Sequence, residues 1–473
     1  MSSLVAIITA RGRGDRIFPG LRLCCALLFF VFSLMPAYGQ DAQKGGDGKL
    51  VLDLKQCIKK AVDLSPEIGE SRYDVEVYSA KKMQADSAAY PQVELLALSG
   101  PSPKARSEQL LATNYSSINL NGIFGSIDAI LIQPLYTFGK ISSYQEAASG
   151  GIKVARAGVD KKTSEIALRT KELYYGILLA RTLKSLVLEI RDDLVDSIKR
   201  AEKQLEEGAA SADETNFYKL KGFLGVADKS LNEAEKGEAL AKDALMTSMG
   251  IPRGTDFDIA DTTLTPVDKV PDDVATYMRL SLELRPEFIQ LKEGLVAKNA
   301  LVNVEKSSFY PQLFLGAMGS LSGASNRERI NNPYIPDLFN HSYAAAFVGI
   351  QLGLDFGIRD GKVREAKAEY YKIVEKKKFA DEAIPFQVRK AYMDMAEAKK
   401  NIAETEEGYK NARKWLVAAV ANFDMGLGDA KDIGDAAALY AQTKTDYIRA
   451  LYNHRLSYAN LLYAAGLDLK EIR

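Results

Sequence analysis

Apolar residues recur at alternating spacings of three and four along two stretches of about 60 residues each. The first stripe runs from Ala148 and Ile152 through Ala155, Ile166, Thr170, Ile177, Ile190 and Ile198 to Leu205. The second runs from Val363 through Ile384, Val388, Met395, Ala412, Leu416 and Ala419 to Phe423. That spacing gathers the apolar set on one side of a helix, as a coiled-coil seam requires. At 1.5 Å per residue each helix would reach about 90 Å, roughly three times the hydrocarbon thickness of a bilayer. Pro385 sits inside the second stripe and predicts a local kink, because it removes one backbone hydrogen bond.

A second period lies beside the first. In the stretch 348–356, large apolar residues alternate with Gly, Gln, Gly and Asp, a period of two that predicts a strand with one greasy and one small or polar face. The stretches 93–100, 126–136 and 313–320 read as its weaker partners, separated by polar loops at 101–117 and 322–342. Shorter helices are expected at 67–89 and 287–309, each ended by Tyr-Pro-Gln, and at 214–249 and 433–465, each following a glycine-marked turn. The flanking segments 41–54 and 251–273 are polar and contain Pro or Gly, and are expected to form a belt beside the break between the short helices.

These landmarks occur twice. Leu64-Ser-Pro66-Glu67 and Tyr90-Pro91-Gln92 return as Leu284-Arg-Pro286-Glu287 and Tyr310-Pro311-Gln312, 220 residues on. Gln133, Ile166, Tyr174 and the turn glycine Gly208 return as Gln351, Ile384, Tyr392 and Gly426 at an offset of 218. A drift of so few residues over a whole repeat marks an internal duplication. The expected layout is a signal segment at 1–39, a first structural repeat at 40–250 and a second at 251–473.

The N-terminus and the composition narrow the function. Four arginines precede an apolar run from Leu23 to Met35 that ends in Pro36-Ala37-Tyr38-Gly39, the pattern of a secretory signal. The 62 basic and 62 acidic residues balance, which gives no nucleic-acid-binding excess. Once the signal is gone a single cysteine, Cys57, remains, so the mature chain has no internal disulfide. No catalytic, metal-binding or cofactor-binding pattern is present: the two histidines lie far apart, and no glycine loop for phosphate follows a strand. His341 is placed in an exposed loop, and His454 at helical spacing as a packing or surface residue. The chain is read as a non-enzyme without cofactors. The alternating runs taken alone fit a half-buried soluble sheet. Their length of about 9–11 residues, together with export, favours a transmembrane barrel.

The order of export signal, duplication, Pro-Glu followed by Tyr-Pro-Gln, paired strands and Phe423-x-x-Gly426-x5-Asp432-Ile433 resembles the TolC family of outer-membrane efflux and secretion channels, over about 51–467. The fold class that follows is mainly α with a β-barrel portion: a long antiparallel helical tunnel and a barrel shared between chains. Four strands cannot close a barrel, and open sheet edges are not tolerated in lipid, so two or three chains must combine. The resemblance implies a homotrimer in the outer membrane, in contact with lipid and with a large periplasmic part. It also implies a periplasmic adaptor and an inner-membrane pump as partners, for small-molecule efflux or for type I secretion.

Asp432 and Asp435 lie three apart at a helix start, where carboxylates also serve as caps; by resemblance they line the pore entrance. The family's gate positions fall on Phe423, Glu214 and Gly428, so the carboxylate is present while the family's tyrosine hydroxyl and arginine are replaced. A gate held by packing around Phe423, or a looser one, is expected. Gly208 and Ala209, with Gly426 and Leu427, are the expected adaptor-docking turns, and glycine there also suits a left-handed helix cap. The rival reading is an exported coiled-coil scaffold or surface tether without a pore.

Overall fold

The computed structural model of the chain describes residues 49–104, 120–207, 213–267, 273–331 and 333–472. The expected signal segment 1–39 and the first-repeat turn residues Gly208 and Ala209 lie outside the described residues.

One series of elements runs twice. In the first pass β1 (Leu50–Leu52), α1 (Leu54–Leu64) and α2 (Pro66–Ser87) lead into β2 (Gln92–Pro103), β3 (Leu120–Tyr136), the long α3 (Lys140–Glu206) and α4 (Glu214–Ser248). In the second, β4 (Phe257–Ile259), α5 (Val274–Leu284) and α6 (Pro286–Ser307) lead into β5 (Gln312–Ala324), β6 (His341–Gln351), the long α7 (Ile358–Asp424) and α8 (Ala430–Ala465). A short α9 (Asp468–Ile472) closes the chain. Both long helices have 67 residues, about 100 Å at 1.5 Å per residue.

Proline sets the breaks. Pro66 and Pro286 stand at the first position of α2 and α6, where the missing N–H costs nothing and the fixed φ already suits a helix. The residues before them, Ser65 and Arg285, are extended, as proline requires of its predecessor, and this separates α1 from α2 and α5 from α6. Pro385 behaves differently: α7 runs through it unbroken, with Ile384 and Val388 on either side buried.

The antiparallel sheet has the order β2-β3-β5-β6. The helices that feed or leave these strands pack in the same order: α2 on α3, α3 on α6 and α6 on α7. Sheet and helix layer are therefore one continuous ribbon. At the far end α3 pairs with α4, α7 pairs with α8, and α3 also meets α8. The expected seams are buried in part: Ala366, Tyr370, Ile373, Ala380, Ile402 and Tyr409 of α7, with Ala148, Ile152 and Leu205 of α3, are only half-buried. Val363, Ile384, Val388, Ala391, Met395, Ala398, Ala412, Leu416, Ala419 and Phe423 of α7 are all buried.

The belt contains more order than its polar composition announces. β1 and β4 pair in parallel, Leu50 with Phe257 and Leu52 with Ile259, and so join the two repeats. Buried Leu52, Cys57, Ala61, Phe257 and Ile259 belong to one core cluster with Tyr174, Ile177 and Leu178 of α3. His454 is 1 % exposed; its Nδ1 accepts from the Val267 N–H at 3.4 Å, and burial, then Lys399 and Arg455, lower its pKa. It is a packing residue that holds the belt to α8.

Two expectations need correcting. The strand placed at 348–356 runs instead from His341 to Gln351, because Gln351 pairs with Gln312 and β5 has no residue left to bond beyond that register. Leu354 and Phe356, which continue the alternation in sequence, are exposed outside the sheet. His341 is no loop residue: it opens β6, with Nε2 2.7 Å from Ser320 Oγ and Nδ1 3.0 Å from the Asp337 carbonyl oxygen.

Candidate functional site: the helix tip and the two-faced sheet

The turn between α7 and α8 closes as a Schellman motif. Gly426 takes a left-handed φ of 73°, its N–H donates to the Phe423 carbonyl at 3.0 Å, and the Leu427 N–H donates to the Asn422 carbonyl at 2.9 Å. Met425 and Leu427 beside it are 64 % and 79 % exposed, so the tip presents apolar side chains to its surroundings. A side chain at Gly428 would press on the backbone N of Phe423 and on Asn422, so this turn has no room for an arginine without shifting.

Helix α8 then starts on Asp429, whose carboxylate accepts from the Lys431 N–H at 2.8 Å and pairs with Lys219 of α4 at 3.1 Å. The backbone bond, then Lys219, lowers the Asp429 pKa. Because Asp429 is the cap, Asp432 and Asp435 do not perform that role. Both are exposed, opposite buried Ile433, Gly434, Ala436 and Ala437, and Lys431 lies 3.6 Å from Asp435.

The three gate residues do not meet as one latch within the chain. Phe423, 6 % exposed, packs into the core cluster of Leu416, Ile433 and Tyr440. Glu214 is exposed on the first turn of α4 and accepts from the Tyr218 hydroxyl one turn on, at 3.4 Å. The polar bridge between repeats lies higher up. Arg413 of α7 reaches Glu189 of α3 at 2.6 Å and donates to the Tyr440 hydroxyl at 3.1 Å, and that hydroxyl donates to Glu189 at 3.1 Å. Burial and the Glu189 carboxylate push Tyr440 up to about 12. Nearer the tip, Arg200 of α3 pairs with Asp424 of α7 at 2.8 Å. The sequence reading passed over these groups. Its one available signal was Tyr440, an aromatic with a polar tip, seven residues beyond Ile433 on the buried stripe.

At the opposite end the strand register separates two faces. Ser126 lies opposite Ser322 and Ser322 opposite His341, while Asp128 lies opposite Ser320 and Ser320 opposite Tyr343. Glu94, Asp128 and His341, the Asp, Glu and His side chains of the four strands, all fall on this face. Ser320 donates to Asp128 at 2.6 Å. The other face is aliphatic through its middle, with Val93, Leu95, Ile127, Leu131, Leu315, Leu321, Val348 and Ile350. Leu95, Val348 and Ile350 are 71 %, 65 % and 72 % exposed. Such a face needs an apolar solvent or partner.

Residues 278–467, the bulk of the second repeat, match the family model of the outer membrane efflux proteins. Over that second repeat the chain is similar to the outer membrane efflux proteins. Solved channels of this kind share its architecture. The fold superimposes on CusC with a TM-score of 0.73 at 16 % identity, over 90 % of this chain and 95 % of that one. The outer membrane protein VceC of Vibrio cholerae gives 0.71 at 16 %, over 87 % and 96 %. The CmeC outer membrane channel of Campylobacter jejuni gives 0.72 at 14 %, over 90 % of each chain. At these identities the likeness is one of fold. No curated protein sequence matches significantly.

Among the described residues no helix is long and apolar enough to cross a membrane, and no cluster of His, Cys, Asp and Glu is arranged to hold a metal. Among the described residues the aliphatic face of the sheet carries the exposed side chains Leu95, Val348 and Ile350.

Proposed function

We propose that the chain is the outer-membrane duct of a tripartite efflux or type I secretion assembly. The observation that carries this is the two-faced sheet. It has free edges at β2 and β6, an aliphatic exposed face, and helices that continue each strand away from the membrane. Open edges are costly in lipid, so β6 of one copy bonds to β2 of the next until the barrel closes. Three copies give twelve strands around a lumen lined by the polar face, and the helices prolong that lumen through the periplasm. Residues 1–39 are the removed signal, and 40–250 and 251–473 are the two repeats.

At the tip, Asp432 and Asp435 of three copies place six carboxylates around the mouth, which favours cations and gives multivalent ions a place to block. Phe423, Glu214 and Gly428 form the gate region, with Phe423 acting from inside its own protomer by holding α7 onto α8. The turns at Gly208, Ala209, Gly426 and Leu427 dock the periplasmic adaptor of an inner-membrane pump. Membrane fractionation of cells expressing the full chain tests the reading. A detergent-extracted oligomer from the outer membrane that conducts ions in planar bilayers is the expected result. A freely soluble periplasmic monomer would refute it and favour the scaffold reading.

A further inference from the structure

The connection between β5 and β6 is a long polar segment in sequence, yet it is folded around a buried ion pair. Arg327 and Asp337 lie 3.0 Å apart with side chains 5 % and 4 % exposed. Asp337 also accepts from the backbone N–H groups of Ile330 at 2.9 Å and Phe339 at 3.1 Å. Arg327 donates a second bond to the Pro103 carbonyl at the end of β2, at 2.8 Å, and its guanidinium stacks over the Phe339 ring. An ion pair this well bonded and this buried fixes its surroundings, because removing either partner strands the other charge away from water.

The side of the sheet on which the segment settles decides its meaning. Phe339 meets Phe124 edge-on with ring centroids 5.0 Å apart, and the Phe339 carbonyl accepts from Ser322 Oγ at 3.0 Å. The Asp337 carbonyl meets His341 Nδ1 at 3.0 Å. Phe124, Ser322 and His341 all belong to the polar face, the one that also carries Asp128 and Ser320. None belongs to the aliphatic face. The segment therefore lies over the inner face at the end of the strands farthest from the helices.

We propose that residues 325–331 and 333–340 fold into the outer mouth of the barrel as a fixed exit constriction, positioned by Arg327 and Asp337, which sets the largest solute the channel releases. The proposal rests on the channel reading given above. In the closed barrel each copy contributes one such segment at the same depth, so the exit is narrowed from several sides by backbone that is pinned rather than free. Size selection at this end is then independent of how the periplasmic tip opens.

The test uses the full-length chain in intact cells, with Ile132→Cys as a reporter. Ile132 shares the polar face, lies at the helix end of β3 and is 43 % exposed, whereas the native Cys57 is fully buried. Maleimide-polyethylene glycols of graded size are added from outside. With the native segment, small reagents are expected to label and large ones to be excluded. Arg327→Met raises the size cut-off, and replacing residues 328–336 by Gly-Ser-Gly raises it further. If the shortened chain still forms its oligomer and the cut-off does not move, the constriction is refuted while labelling by the small reagent leaves the channel intact. If the smallest reagent fails to reach the cysteine in every variant, the channel reading itself falls.

Discussion

Replacing Tyr440 by Phe removes one oxygen from a fully buried ring and nothing else. That oxygen bridges three helices: it donates to Glu189 of α3 and accepts from Arg413 of α7, each at 3.1 Å, while sitting on α8. A bond to a charged partner is worth about 1.5–3 kcal/mol. The two partners keep each other at 2.6 Å and are 53 % and 33 % exposed, so water recovers part of the loss. A cost of about 1–2 kcal/mol per copy follows. If the bridge holds only in the closed tip and three copies open together, the total is about 3–6 kcal/mol, which shifts the closed-to-open ratio by roughly 10²- to 10⁴-fold. Single-channel recording of Tyr440→Phe in planar bilayers reads that shift as open time, and a thermal melt of the same oligomer reads the stability. A melt lowered as expected with open time unchanged would show that the bridge only holds the fold. No change in either would mean that the hydroxyl does not join these helices at all. Arg413 lies 13 residues before Gly426, about 20 Å above the turn, so this bridge stands well clear of the mouth.

Phe423→Ala empties a buried aromatic site and should cost about 3–5 kcal/mol per copy, with a longer open time if packing holds the gate; an unchanged pore would refute that role. Asp432→Asn with Asp435→Asn should weaken block by a trivalent cation while leaving the melt unchanged, since Asp429 and not these residues caps α8; block of undiminished affinity would place the ion elsewhere. At the belt, burial raises the Asp258 pKa, but bonds from Lys49 and Arg181 outweigh it and hold the carboxyl well below the usual carboxylate range. A depressed folded pKa contributes stability that is present above the unfolded value of about 3.9 and is lost as pH falls below it. Asp258→Asn should therefore lower the melting temperature at pH 7 and flatten its fall below about pH 5; a parallel shift at every pH would refute the linkage.

The long helices were legible because a seam repeated over some 60 residues leaves no other period to choose, and the prolines and glycines marked where each ended. The strand at 348–356 was misplaced for a related reason. Alternation reports what a strand's two faces need, but the end of a strand is fixed by its neighbour, and β5 stops at Gln312. The parallel pair β1–β4 has three residues a side, too short for any period, and its partners lie about 200 residues apart. The bridge above the tip was hidden by the very symmetry that made the fold plain. At the repeat offset of 218, Arg413 corresponds to Val195, Arg200 to Ala418 and Tyr440 to Gly222. Each of these residues reaches across to the other repeat, Arg413 and Tyr440 to Glu189 and Arg200 to Asp424. A duplication keeps what both copies need, which here is backbone: helix breaks, turns and seams. Contacts that tie one copy to the other arise where the copies differ, so a comparison of repeats discards them. In a protein whose opening would require the two repeats to move against each other, that discarded set is where the Tyr440→Phe test looks for control of opening, beside the gate region at Phe423.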